Sequence, residues 1–201
     1  MLPKRSFKEV AEFNPLIENI EPIIIDATER PHCRHQKRSQ QRRYYSGKKR
    51  RHTVKNTVSS DQAKRVLFIG KTVTGSRPDY PLLKEEFKPE KDGFRAVKVT
   101  VDLGYQGIKS DYLSPQNISI PHKKPKKSKK NTNPLLTRTQ KQENKEIGRN
   151  RVAIEQAIGG MKTFNILANK FRNRLKNFAD EAIFLVAGLW NLKILLLFNR
   201  L

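Results

Sequence analysis

Three acids stand at places where a carboxylate could do chemistry. Asp26 follows Ile23-Ile24-Ile25, Asp102 follows the alternating run Val97 to Val101, and Glu155 lies in Arg149–Lys162, which reads as helix. A charge placed after three isoleucines is costly to bury unless something compensates it. Carboxylates at two strand ends and on a facing helix can converge above one edge of a sheet. Hard cations such as Mg²⁺ take oxygen ligands, usually a few carboxylates and waters. Two such ions about 3.5–4 Å apart can clamp the attacking and leaving oxygens of a phosphodiester. The same acids can equally cap strands and helices or pair with lysines, and the sequence leaves both readings open. Arg151, Glu155 and Lys162 are spaced by four and seven residues, so they share one face of a helix with about 3.6 residues per turn. Ile154, Ile158 and Met161 form an adjacent stripe able to pack on a sheet. Gly159-Gly160 weakens that helix and permits a close backbone approach, which DNA could make.

The rest of the chain must position these groups. It has 201 residues, with 42 Lys and Arg against 19 Asp and Glu, a formal net charge of +23. Hydrophobic residues make up 36%, enough for one core with a large solvated remainder. A single cysteine excludes a disulfide framework and is in keeping with a reducing, cytoplasmic setting. The charge calls for a polyanionic partner, nucleic acid before an anionic membrane surface. The apolar run 182–198 is short for a membrane span and carries Asn191 and Lys193, so it is expected as a buried core helix.

Residues 22–26, 51–58, 66–69 and 97–101 read as strands, with a short fifth at 118–120. The second and third are expected to pair antiparallel. Asp79 sits where a short helix would be capped, and could also be an accessory acid. Helical composition runs from Thr137 to about Lys170, and Asp180 and Glu181 open the last helix. Strands mixed with flanking helices give an α/β architecture. Residues 30–55 hold eleven Lys or Arg and no acid, and residues 123–130 hold six Lys. Both are candidate phosphate-binding segments, through Lys48, Lys49, Arg50, Arg51, Lys123 and Lys124. Tyr44, Tyr45 and Tyr105 could stack on bases or belong to the core. His32, Cys33, His35 and His52 match no standard zinc spacing.

Several segments stand together in one order: Asp26-Ala27-Thr28-Glu29-Arg30, Tyr45-Ser46-Gly47-Lys48-Lys49-Arg50-Arg51-His52-Thr53, Asp102-Leu103-Gly104-Tyr105-Gln106-Gly107, Pro121-His122-Lys123-Lys124-Pro125 and Arg151 to Gly159. This series resembles the DDE transposases of bacterial insertion sequences, in the insertion-sequence-five group, from about residue 22 to 198. The resemblance implies an RNase H-like fold, a central mixed sheet flanked by helices. It implies that Asp26, Asp102 and Glu155 form the metal-binding acidic triad for two Mg²⁺ ions, with Mn²⁺ able to substitute. Arg151 and Lys162 match the family's Arg-three-Glu-six-Lys signature. The family often has a Tyr three residues before that Arg, where this chain has Gly148.

Residues 1–21 are expected to be the remnant of an N-terminal region or a linker, and 22–201 the catalytic domain. Family members usually place a helical DNA-binding region before the first Asp, so the chain looks like a truncated copy or one half of a split gene. The implied activity is metal-dependent DNA cleavage and strand transfer at insertion-sequence ends, in the bacterial cytosol. The implied partners are DNA, a second copy of the chain on DNA and a separately encoded N-terminal half, with no membrane. The alternative is a non-catalytic basic nucleic-acid binder or an inactive remnant.

Overall fold

The computed structural model describes residues 2–5, 22–91, 93–127, 132–173, 175 and 177–198. Most of the 1–21 segment and the end of the 123–130 lysine run lie outside the described residues. The elements are strands β1 (Ile23–Pro31), β2 (Tyr45–Ser46), β3 (Arg51–Ser60), β4 (Val66–Ile69), β5 (Val73–Thr74), β6 (Val99–Thr100) and β7 (Ile118–Ser119). The helices are α1 (Arg38–Tyr44), α2 (Asp79–Glu86), α3 (Ile108–Asp111), α4 (Arg138–Lys162), α5 (Asn165–Ala168) and α6 (Phe178–Phe198). β1 pairs antiparallel with β3 and parallel with β6, and β6 pairs parallel with β7. The far edge of β3 pairs antiparallel with β2, β5 and β4 in turn. The protein is thus α/β with a mixed sheet flanked by helices, as expected of an RNase H-like fold.

The three isoleucines show why β1 is central. Ile23 and Ile25 enter one core with Phe68, Leu83, Phe87 and Phe94. Ile24 enters the other, beneath α4 and α6, with Val58, Ile154, Met161 and Trp190. Alternate residues of a strand point to opposite faces, so an unbroken apolar run requires a strand covered on both sides. Asp26 has the parity of Ile24 and therefore faces α4. It does not end the strand, as the sequence reading expected. It is the fourth of nine residues, because β1 continues along β3 in register from Ile24↔Ser60 to Pro31↔Thr53.

α4 begins with a capping box. Thr137 Oγ1 accepts from Gln140 N at 3.1 Å, and Gln140 Oε1 accepts from Thr137 N at 3.0 Å. Its stripe of Ala153, Ile154, Ala157 and Met161 is buried against the sheet, with Ile158 partly so. The helix stops at Lys162 and does not run on to Lys170. The close approach at Gly160 is made by Trp190, since a Cβ there would lie 2.2 Å from its ring. The sequence reading had offered that approach to DNA.

α6 is buried on one face and not all round. Ile183, Val186, Ala187, Trp190 and Ile194 face the core, while Leu185, Leu189, Leu192 and Leu196 are exposed. Asn191 is explained by the edge of β4. Its side chain accepts from Val66 N at 2.7 Å and donates to Val66 O at 2.8 Å. Among the described residues no helix is long and apolar enough to cross a membrane. Residues near the start of the chain reach the same region, as Lys4 pairs with β4 through Leu67 O and Ile69 N.

Candidate active site

Three elements bring the acids together: the middle of β1, the turn after β6, and the third quarter of α4. Each aspartate has one oxygen tied to its own backbone. Asp26 Oδ1 accepts from Ala27 N at 2.7 Å, and Asp102 Oδ1 accepts from Leu103 N, capping the short 3₁₀ turn Leu103–Tyr105. The other oxygens face one guanidinium. Arg151 Nη2 lies 3.6 Å from Asp26 Oδ2, 3.6 Å from Asp102 Oδ2 and 3.8 Å from Glu155 Oε1. All three contacts exceed hydrogen-bond length, so Arg151 balances the carboxylates electrostatically without binding any one tightly. Its Nε is buried with no hydrogen-bond partner.

Burial pushes the Asp26 carboxyl above its ordinary value. Asp102 and Asp79 push the same way, and the Ala27 N–H and Arg151 offset only part of the effect. Glu155 is open, its side chain 59% exposed. Beneath the aspartates, the buried Tyr105 hydroxyl has no hydrogen-bond partner, and burial raises its pKa well above the phenolic value.

A second ion network adjoins the triad on the opposite face of β1. Lys55 Nζ donates to Asp79 Oδ1 and Arg77 O, both at 2.6 Å, and lies 3.7 Å from Glu29 Oε1. Thr53 Oγ1 donates to Glu29 Oε2 at 2.8 Å. Asp79 is therefore no helix cap. It is the first residue of α2, its carboxylate is held by Lys55, and a Cβ on Gly104 would stand 3.7 Å from Asp79 Oδ2. Lys55 was not anticipated from sequence. Its signal is its place opposite Glu29 in the β1–β3 register, which only the pairing reveals.

Comparison with known proteins decides the family of the chain. Residues 25–191 match the family model described as DDE superfamily endonuclease. The chain belongs to that family. It is also 34% identical over 184 residues to a protein described as the probable transposase for insertion sequence element IS702 of Microchaete diplosiphon. That match covers 90% of this chain and 60% of the relative. No solved structure matches the chain significantly.

DDE superfamily endonucleases generally use divalent metal ions, and the donors here fit such ions in kind: three carboxylates and no soft ligand. Among the described residues, no group of three His, Cys, Asp or Glu is packed closely enough to hold a metal as it stands. The three acids converge on Arg151 instead, whose guanidinium takes the cationic position between them.

Lys162 is half-buried, and its pKa is lowered by burial first and then by Lys49; Asp26 and Glu29 act the opposite way. The turn of Lys48, Lys49 and Arg50 leading to Arg51 is exposed. Lys123 and Lys124 are exposed. The preceding His122 is fixed to α4, with its N–H donating to Asn144 Oδ1 at 2.7 Å and its ring paired with Glu143. Asn144 precedes Arg151 by two helical turns, roughly 10 Å. The histidines form no metal cluster among the described residues. His32 stacks on His35 and Tyr44, with ring centroids 5.7 and 5.1 Å away. Tyr105 belongs to the core, and Tyr45 packs edge-on against His52.

Proposed function

We propose that this chain is the catalytic part of an insertion-sequence transposase, cutting DNA at the element's ends and joining the freed 3′ ends to target DNA. The observation that carries the reading is the gathering of Asp26, Asp102 and Glu155 around one guanidinium, with each aspartate's second oxygen facing it beyond hydrogen-bond length. In the first step a water oxygen bonds to phosphorus as the bond to the 3′ oxygen breaks. In the second the freed 3′ hydroxyl attacks a target phosphodiester in the same way.

Asp26, Asp102 and Glu155 would hold two Mg²⁺ ions, or Mn²⁺ in their place. Such ions, when bound, supply Lewis-acid activation of the attacking oxygen and neutralise charge on the leaving one. The chain's own residues do the rest. The Ala27 and Leu103 N–H groups fix the aspartates so that Oδ2 of each faces inward. Arg151 lowers the mutual repulsion of three nearby anions and is within reach of a scissile phosphate. Lys162 on one side and Lys123 and Lys124 on the other line the path of the flanking phosphates. Lys48, Lys49, Arg50 and Arg51 extend that path. Because each element has two ends to be joined, the working assembly is a homodimer on DNA.

The test is a labelled duplex carrying the insertion-sequence end, incubated with the protein and Mg²⁺. A nicked product with a 3′ hydroxyl, absent in chelator and restored by Mn²⁺, is expected. DNA binding without any cleavage in either metal would make the protein a passive basic binder.

A further inference from the structure

A cleft of about 760 Å³ lies away from the acids, at the far end of β1. Its wall carries a cluster of flat rings. His32 stacks on His35 at 5.7 Å and 11°, and on Tyr44 at 5.1 Å and 26°, while Phe171 lies 6.2 Å from His32. His35 and Tyr44 are 4.5 Å apart. Burial pushes the His32 pKa below its ordinary value, so at neutral pH this imidazole packs as an uncharged ring. Arg34, Lys37, Lys71 and Arg172 frame the rings. The single acid of the lining, Asp180, is already engaged by Arg5 and by Thr72.

A second cleft of about 440 Å³, lined by Arg34, Arg51 and Lys170 among others, adjoins it and shares His32 and Arg34 with it. From Asp26 to His32 is six strand residues, roughly 20 Å. Basic side chains around the rings suit a polyanion, and the flat rings offer a face to a planar, neutral group.

We propose that this cleft is a nucleobase subsite. An unstacked base of DNA bound at the acids enters it and packs against the Tyr44, His35 and His32 rings, while Arg34 and Lys37 hold the flanking phosphates. The proposal rests on the reading of DNA as substrate. Base–aromatic stacking tolerates any base sequence, so the subsite requires an unpaired base and not a particular one.

The experiment compares two single-stranded oligonucleotides of equal length and charge, one of thymidines and one abasic, binding the full chain at several salt concentrations. The expected result is about tenfold or greater preference for the base-bearing strand, with equal salt slopes on both strands. Tyr44→Leu is expected to abolish that preference and leave the slope unchanged. Equal affinities in the wild type, or a preference that survives in folded Tyr44→Leu, would overturn the subsite. Should Tyr44→Leu not fold, photocrosslinking of a 5-iodouracil strand to the wild type decides. Adducts on Tyr44, His35 or Phe171 support the proposal, and adducts confined elsewhere refute it. Cleavage in Mg²⁺ is scored separately. A chain that cleaves but ignores bases keeps its catalytic reading and loses this one, and a chain that prefers bases but never cleaves does the reverse.

Discussion

Asp26 and Arg30 lie four residues apart on the same face of β1, and the protein treats their charges in opposite ways. Arg30 is 2% exposed and richly bonded. Its Nη1 donates to Ala179 O at 3.0 Å, and its Nη2 donates to Asn56 Oδ1 at 2.9 Å and Thr72 Oγ1 at 3.2 Å. Burial pushes its pKa down to about 10, so it stays charged at neutral pH. It ties β1 to β3 and to the start of α6. Asp26 receives one backbone N–H and a guanidinium too distant to bond. A charge held by three bonded acceptors is architecture. A charge left under-compensated at the lip of a cluster of like charges is available for a ligand to complete, which is the usual mark of a functional group.

The comparison predicts opposite mutational costs. Arg30→Met should produce the largest loss of stability, about 3 kcal/mol or more, because the acceptors on Asn56, Thr72 and Ala179 are left buried without their donor. Denaturant unfolding measures it, and a loss under about 1 kcal/mol would break the contrast.

Glu86 sharpens it from a third side. This carboxyl is buried against Gly70, and burial pushes its pKa up to about 7. A folded pKa above the unfolded value of 4.5 means the folded state holds the proton more tightly. Stability contributed by protonated Glu86 is therefore full below about 4.5 and is lost as pH rises to about 7. Glu86→Gln should flatten that pH dependence and stabilise the protein at pH 8 by an amount on the order of 3 kcal/mol at most. Unfolding curves at pH 4.5 and 8 for both proteins check the sign.

Asp26→Asn should show the smallest change in stability, within about 1 kcal/mol and in the favourable direction at neutral pH, since burial already penalises its ionised form. Arg151→Gln should raise the Asp26 pKa further, because the cation facing its Oδ2 is removed. An NMR titration of the Asp26 carboxyl reads that shift, and an unchanged or lowered value would mean that Arg151 does not hold the triad.

The legible parts of this site were those set by local chemistry. Three isoleucines before an acid declare a strand covered on both faces, and an Arg, a Glu and a Lys at helical spacing declare one face of α4. Lys55 stayed hidden because its role depends on lying opposite Glu29, a fact of register and not of composition. The seven-residue α1 was missed because it buries nothing, so no apolar period marks it within a basic run. The outer leucines of α6 read as core because a run apolar on every side does not say which side is covered. Asp79 looked like a cap because it opens a helix, yet a buried lysine outcompetes the helix end for its carboxylate.

The central claim is that Asp26, Asp102 and Glu155 act together as the metal-dependent catalytic acids. It is tested most directly by cleavage of a labelled insertion-sequence end in Mg²⁺ by the wild type and by Asp26→Asn, Asp102→Asn and Glu155→Gln, each shown to be folded. Cleavage by the wild type is predicted to fall at least about a thousandfold in each of the three variants, with DNA binding retained, as expected when groups that act as a unit are removed singly. Cleavage that persists in any one of the folded variants would contradict the account.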